Sequence, residues 1–273
     1  MKVAVVQMKP ELNQTESNFE KIARFCSRSS DEAAELVLFP ECALSGYILT
    51  REEATDLAEP IPGPTSDKLV DLCKEHRLHL MVGTLELEGG RLYNTSILAS
   101  PEGYLGKYRK AHLPFLGVDR FVEPGESLGE LFVTRAGKLG ALICFDLRFP
   151  EAARVLALNG AQILLAPSAW HHSSALYPEL LVPTRSVENR VFIMAADQTG
   201  SARGVRFLGR SLITAPDGEV LAEAGASDET LLFADIDVRS AEEKKLVFKP
   251  GEFELDLFGG RRPELYSGLT EES

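Results

Sequence analysis

A chain of 273 residues, 44% apolar and 26% charged, has the composition of a globular protein with room for a sizeable core in one large domain or two small ones. Its formal net charge of −12 argues against nucleic acid or an anionic membrane as the main partner, and says little about the charge of any one pocket. The four cysteines are scattered without a CxxC pair, and the N-terminal apolar run is too short for a signal peptide or a membrane span, so reduced thiols in a cytoplasmic protein are expected.

In chain order, Val3 to Met8 reads as a first strand. A helix follows from about Thr15 to Ser30, with Thr15 as its cap and Phe19, Ile22, Ala23 and Phe25 on its buried face. Leu36 to Phe39 is a second strand, ended by Pro40, and Thr65 to His76 is a helix. Leu78 to Leu85 and Arg91 to Ser100 form a strand pair around Glu-Gly-Gly. Asn94-Thr-Ser in the second of these matches a glycosylation sequon, which means nothing without secretion. Leu131 to Ile143 gives two strands broken at Ala136-Gly137, and Pro150 then opens a helix that stops at Asn159-Gly160. Ala161 to Ala166 is a buried strand. Pro178 to Arg190 is helical in pattern, although Pro183 should kink or split it. Val191 to Ala196, Gly209 to Thr214 and Leu231 to Val238 are strands, with Ala215-Pro-Asp-Gly218 a turn. No linker interrupts residues 1–248, and beyond Lys249 the Gly, Pro and charge content predicts a surface arm. Alternating strands and helices predict an α/β domain with helices covering the sheets.

Three strand ends carry reactive groups: Glu41 after Leu36 to Phe39, Lys110 in Lys107-Tyr-Arg-Lys-Ala-His-Leu-Pro114, and Cys144 at a strand-to-helix turn. In α/β sheets, binding crevices lie outside the carboxyl ends of strands, so the three can converge there. The turn places Cys144 near the positive end of a helix dipole, which predicts a thiol pKa below the usual value of about 8.5. Each group also has a plain reading: Cys144 as a small buried hydrophobe, Glu41 and Lys110 as solvated loop charges.

Together, Phe39-Pro-Glu41, Tyr108-Arg-Lys-Ala-His-Leu113 and Leu142-Ile-Cys-Phe-Asp-Leu-Arg-Phe-Pro-Glu151 resemble the nitrilase superfamily of carbon-nitrogen hydrolases, in the family's order. The resemblance extends to Val5-Val-Gln7, Gly209-Arg-Ser211, Pro216-Asp-Gly218, Asp235-Ile-Asp237 and Arg262-Pro-Glu-Leu-Tyr266 in the tail. It implies an αββα sandwich of two mixed sheets flanked by helices, spanning 1–248, with 249–273 an arm that packs on the partner of a homodimer or higher homo-oligomer. It also implies Cys144 as nucleophile, Glu41 as general base, and Lys110 with the Phe145 backbone N–H as oxyanion donors, without a cofactor. His112 then braces the lysine loop.

Within the family, the Cys-Phe-Asp-Leu-Arg-Phe-Pro-Glu segment is similar to the amidase and ω-amidase side, which implies a small linear amide as substrate and ammonia as product. An N-carbamoyl hydrolase or a nitrilase with the same triad is the alternative, and a catalytically silent binding or scaffold protein is the alternative from another class. Family members often carry a second acid that orients the lysine. Asp119, Glu123 and Glu126 are the candidates here, and Asp119 is the nearest match. Trp170 is expected in the substrate pocket or in the core. Arg148 is expected either to meet a substrate carboxylate or to lock its turn by pairing with Glu151 or Glu188. Cys42 lacks the strand-to-helix setting and reads as a packing residue. His76-x-x-His79 and His171-His172 have no matching ligands at metal spacing, so no metal is expected.

Overall fold

The computed structural model describes residues 1–270, so 271–273 of the expected arm lie outside the described residues. The chain begins with β1 (Lys2–Gln7), helix α1 (Thr15–Asp31), β2 (Leu36–Leu38), α2 (Arg51–Leu57) and α3 (Pro64–His76). It continues with β3 (His79–Glu88), β4 (Arg91–Ser100), β5 (Gly103–Arg109), β6 (Phe132–Thr134), β7 (Gly137–Ala141), α4 (Pro150–Leu158) and β8 (Ile163–Ser168). After these come α5 (Val182–Asn189), β9 (Phe192–Asp197), a small hairpin of β10 (Ser201–Ala202) and β11 (Val205–Arg206), and β12 (Leu212–Thr214). The last strands are β13 (Val220–Glu223), β14 (Thr230–Asp235), β15 (Lys245–Lys249) and β16 (Phe253–Asp256).

Two mixed six-stranded sheets result, ordered β14-β1-β2-β3-β4-β5 and β13-β12-β9-β8-β7-β6. Side-chain alternation along β1 explains the layering. Val3 and Val5 join a core with Leu139, Ala141, Leu165 and Met194 of the second sheet, while Ala4 and Val6 join Ile22, Phe25, Leu69 and Cys73 of α1 and α3. α4 and α5 cover the far face of the second sheet, with Ala152, Ala153, Leu156 and Val182 in its core. The architecture is the expected αββα sandwich. β1, β2 and β3, and β7, β8 and β9, form the parallel parts of the sheets, as their buried apolar runs require; hairpins bring in the edge strands β5, β6 and β13, and β14 returns to pair antiparallel with β1.

Several local expectations change. Thr15 does not cap α1: it is the first helical residue, Gln14 holds the cap position, and no side chain bonds there. Pro183 does split its segment, into a π-helical turn (Tyr177–Leu181) and α5, where proline sits in the first turn and needs no N–H acceptor. α2 has no apolar stripe and forms on a capping box: Thr50 Oγ1 accepts the Glu53 N–H at 3.2 Å and Glu53 Oε2 accepts the Thr50 N–H at 2.8 Å. The β15–β16 hairpin straddles residues 248 and 249, where the surface arm is expected to begin. No helix among the described residues is long and apolar enough to cross a membrane.

Candidate active site

Pro40 ends the β2 ladder because it has no N–H to donate, and the chain turns sharply into Glu41. The turn lies directly against Gly83 of β3. A Cβ there would come within 2.5 Å of the Pro40 carbonyl oxygen, 2.6 Å of the Cys42 nitrogen and 2.8 Å of the Glu41 Cα. Glycine is thus required by close approach, and it lets Glu41 sit beside the middle of the sheet. Glu41 is fully buried.

The next strands bring its partners. Asn94 on β4 donates from Nδ2 to Glu41 Oε1 at 2.7 Å and to Asp119 Oδ1 at 2.8 Å. The Lys110 backbone N–H bonds to the Asn94 carbonyl at 2.9 Å, which sets the lysine beside it just past the end of β5. Lys110 Nζ then donates to Glu41 Oε1 at 2.6 Å and to Asp119 Oδ2 at 2.5 Å, with all three side chains sealed from solvent. Tyr47 completes the cluster: its hydroxyl donates to Asp119 Oδ2 at 2.7 Å and its ring lies 5.7 Å from Lys110 Nζ. The other acids considered, Glu123 and Glu126, are exposed, so Asp119 is the one that reaches the lysine.

Cys144 arrives from the facing sheet. Past β7 the chain enters a short 3-10 helix (Cys144–Arg148), and Cys144 holds φ +48°, a left-handed conformation that costs a side-chain-bearing residue about 1–3 kcal/mol. Asp146 fixes this turn. Its Oδ2 accepts the Ile143 N–H and the Tyr108 hydroxyl, each at 2.8 Å. Its Oδ1 takes the His112 N–H at 3.0 Å and faces His112 Nδ1 at 2.7 Å. Tyr108 and His112 flank Lys110, so one carboxylate ties the lysine segment to the cysteine turn across the two sheets. His112 also stacks on Phe149 at 3.8 Å, the bracing part expected of it.

The electrostatics follow from burial. Burial and the neighbouring Asp119 raise the Glu41 pKa above the usual carboxylate range, although Lys110 and Asn94 oppose the shift. Burial disfavours the Lys110 cation, but Glu41 and Asp119 outweigh it and hold the ammonium pKa well above its usual value. The expected depression of the Cys144 pKa is not found. Burial first, and Glu41 second, push the thiol well up, and Lys110 and the Ala169 N–H only partly offset them. Glu41 Oε2 is buried without a hydrogen-bond partner, which leaves one acceptor of the site open.

Phe145 lies in the first turn of the 3-10 helix, where backbone N–H groups lack an intrahelical acceptor. Trp170 is buried and stacks on Tyr177 at 5.0 Å, with its indole N–H unpartnered. Arg148 pairs with neither Glu151 nor Glu188. Its Nε donates to the Tyr177 hydroxyl at 3.2 Å, and Arg185 takes Glu188 instead, at 3.0 Å. Cys42 is buried with its sulfur 3.8 Å from Asn94 Oδ1, beside the cluster. His171 and His172 pack ring to ring at 4.1 Å, and among the described residues no group of three or more His, Cys, Asp or Glu could hold a metal ion. Asn94, Tyr47, Gly83 and Asp146 are the members that sequence reasoning missed.

The family model for carbon-nitrogen hydrolases matches residues 2–245. A Pyrococcus abyssi protein named nitrilase is 37% identical, covering 97% of this chain and 99% of its own length. The omega-amidase of Bos taurus is 32% identical, covering 93% and 94%. Among solved structures, the amidase from Nesterenkonia sp. AN1 superposes with a TM-score of 0.83 at 25% identity, covering 98% of this chain and 99% of that one. A variant of that amidase carries the acetamide moiety of fluoroacetamide on its active-site cysteine. By family match, whole-length similarity and fold, the chain belongs to the carbon-nitrogen hydrolases.

Proposed function

We propose that this protein hydrolyses the C–N bond of a small linear amide through a thioester on Cys144 and releases ammonia. The observation that carries the reading is the buried Glu41–Lys110 pair, with one Glu41 oxygen held by Lys110 and Asn94 and the other open, together with the Cys144 turn that Asp146 ties to the lysine segment. Glu41 takes the S–H proton as sulfur adds to the carbonyl carbon. The Lys110 ammonium and the Phe145 N–H receive the oxyanion, and Asp119 holds the lysine in place. Glu41 returns its proton to the departing nitrogen, the C–N bond breaks, and ammonia leaves. Water then adds to the thioester with Glu41 as base, and collapse releases the acid and restores the thiol. Trp170, with Tyr177 and Arg148 beyond it, lines the approach to this carbon. The amidase and omega-amidase names among the relatives support an amide substrate, and the nitrilase name of the Pyrococcus abyssi relative is why nitriles belong in the substrate panel.

The reading extends to assembly and location. Residues 1–248 act as one catalytic unit and 249–273 as an arm against a homodimer partner. A groove of about 930 Å³ between α4 and residues 256–270, with Val155, Leu158 and Leu269 exposed along it, supports an apolar contact there. Four free, buried cysteines support a reducing, cytoplasmic setting.

The test is stoichiometric iodoacetamide with peptide mass mapping, run beside a panel of amides, carbamoyl compounds and nitriles assayed for ammonia. Preferential labelling of Cys144 and turnover of amides are expected. Uniform slow labelling of all four cysteines without turnover would establish the silent scaffold instead, and turnover confined to carbamoyl compounds or nitriles would overturn the amide assignment.

A further inference from the structure

The asparagine of the sequon is buried on β4, between β3 and β5, and both of its amide hydrogens go to acids. Asn94 Nδ2 donates to Glu41 Oε1 at 2.7 Å and to Asp119 Oδ1 at 2.8 Å, and its Oδ1 faces the Cys42 sulfur at 3.8 Å. An amide turned the other way would set its oxygen against two carboxylates, so its neighbours fix its orientation.

The backbone of Glu41 is anchored without Asn94. Gln198 Nε2, from the other sheet just past β9, donates to the Glu41 carbonyl at 2.7 Å, and the Glu41 turn rests against Gly83. The carboxyl group is held differently, through one of its oxygens. Oε1 accepts Lys110 Nζ at 2.6 Å and Asn94 Nδ2 at 2.7 Å, which uses both of its lone pairs, while Oε2 is buried without a partner. A lysine on a flexible stem leaves a carboxyl free to turn about that one contact. A planar amide on a strand, with its second hydrogen committed to Asp119, stops the turn.

We propose that Asn94 is a positioning residue for the general base: its two N–H bonds lock the Glu41 carboxyl against Asp119 and Lys110, so that Oε2 is the oxygen that takes and returns the proton. The proposal rests on Glu41 being the base. Asn94 acts through Glu41 and touches no substrate. The titratable groups that act on Glu41 are Lys110 and Asp119, Cys42 and Tyr47 of its own segment, and Cys144 and Asp197 of the second sheet. The Asn94 bond favours the ionised carboxylate and so works against the burial that raises its pKa.

The experiment measures kcat/KM for ammonia release against pH, with the best amide of the substrate panel, on the full chain and on Asn94→Leu, Tyr47→Phe and Glu41→Gln, with urea unfolding to show that each is folded. Leucine has the branched shape of asparagine and no donor. Its kcat/KM is expected to fall at least about tenfold at neutral pH. Its acid limb is expected to move up by about one pH unit, because ionised Glu41 loses a charge-assisted bond. Tyr47→Phe takes a donor from Asp119 and none from Glu41, so its acid limb is expected to stay with the parent's whatever its rate. A folded leucine variant whose acid limb stays in place or moves to lower pH overturns the proposal. Lower pH is the direction that plain loosening gives, since entering water relieves the burial that raises Glu41. A Tyr47→Phe limb shifted as far as that of leucine also overturns it, by placing the effect at Asp119. If leucine does not fold, Asn94→Ala carries the same arm. A Glu41→Gln variant that releases ammonia at the parent rate, or a parent that turns over no amide, would overturn the reading beneath the proposal, a failure distinct from an unmoved limb.

Discussion

Lys110 donates to Asp119 at 2.5 Å, and neither side chain is reached by solvent. Tyr47 and Asn94 each donate a hydrogen bond to Asp119 and fix its carboxylate against the lysine, which Glu41 grips from the other side. Removing one partner from a buried ion pair leaves an uncompensated charge, which costs about 3–5 kcal/mol. Asp119→Ala is therefore expected to destabilise the fold by about that amount in urea titration, and to lower kcat about a hundredfold through a misplaced lysine. Unchanged ammonia release in a folded variant would remove Asp119 from the account.

Gly83 makes a second prediction, one about backbone. Any Cβ at this position meets three backbone atoms of the Glu41 turn, and backbone yields less readily than a side-chain tip. Gly83→Ala should cost about 1–3 kcal/mol by overpacking. It should also lower kcat/KM more than tenfold, since a displacement of about 1 Å at a catalytic group has effects up to about a hundredfold. The measurements are a urea midpoint and an ammonia assay. A variant as stable and as active as the parent would show that the turn has slack.

The third prediction concerns pH. Glu41 must be ionised to accept the thiol proton, and burial holds its pKa above the ordinary value, so the acid limb of kcat/KM should fall at a pH above 4.5. Lys110 is kept cationic by its two carboxylates and should not set the alkaline limb. Lys110→Met takes away the charge that favours Glu41 ionisation, so the acid limb of its residual activity should move to higher pH. The stability sign follows from linkage: with the folded pKa raised, Glu41's contribution is fully present below its unfolded pKa and is lost as pH rises through the folded value. Glu41→Gln abolishes turnover, and its unfolding free energy relative to the parent should improve as pH rises through that window. An acid limb at the pKa of a free carboxylate would contradict the burial argument.

What could be read from sequence divides along local and long-range lines. Glu41, Lys110 and Cys144 stand at strand ends, and a strand end is a local pattern of apolar run followed by proline, glycine or charge. Asp119 was one of three acids at similar spacing, and only the fold shows which of them faces the lysine. Asn94 acts across β4, where its sequence carried no signal except a sequon, and the same amide proves to bridge two carboxylates in the core. The Cys144 pKa was misjudged because a dipole argument sees the turn and not its burial. α2 escaped because its stability comes from Thr50 and Glu53 and not from an apolar face, although their spacing is itself a readable cap signature. Likewise the β15–β16 hairpin was hidden by charge, while Leu246 and Val247 face Leu255 and Glu254 around Pro250-Gly251.

The most direct test of the central claim is a rapid acid quench of the enzyme turning over a good amide, followed by intact mass and peptide mapping. An acyl group on the peptide containing Cys144, with one ammonia released per site before the acid appears, is the predicted result, and Cys144→Ala should show neither adduct nor turnover. Steady turnover with no adduct, or a Cys144→Ala variant that still releases ammonia at the parent rate, would contradict it.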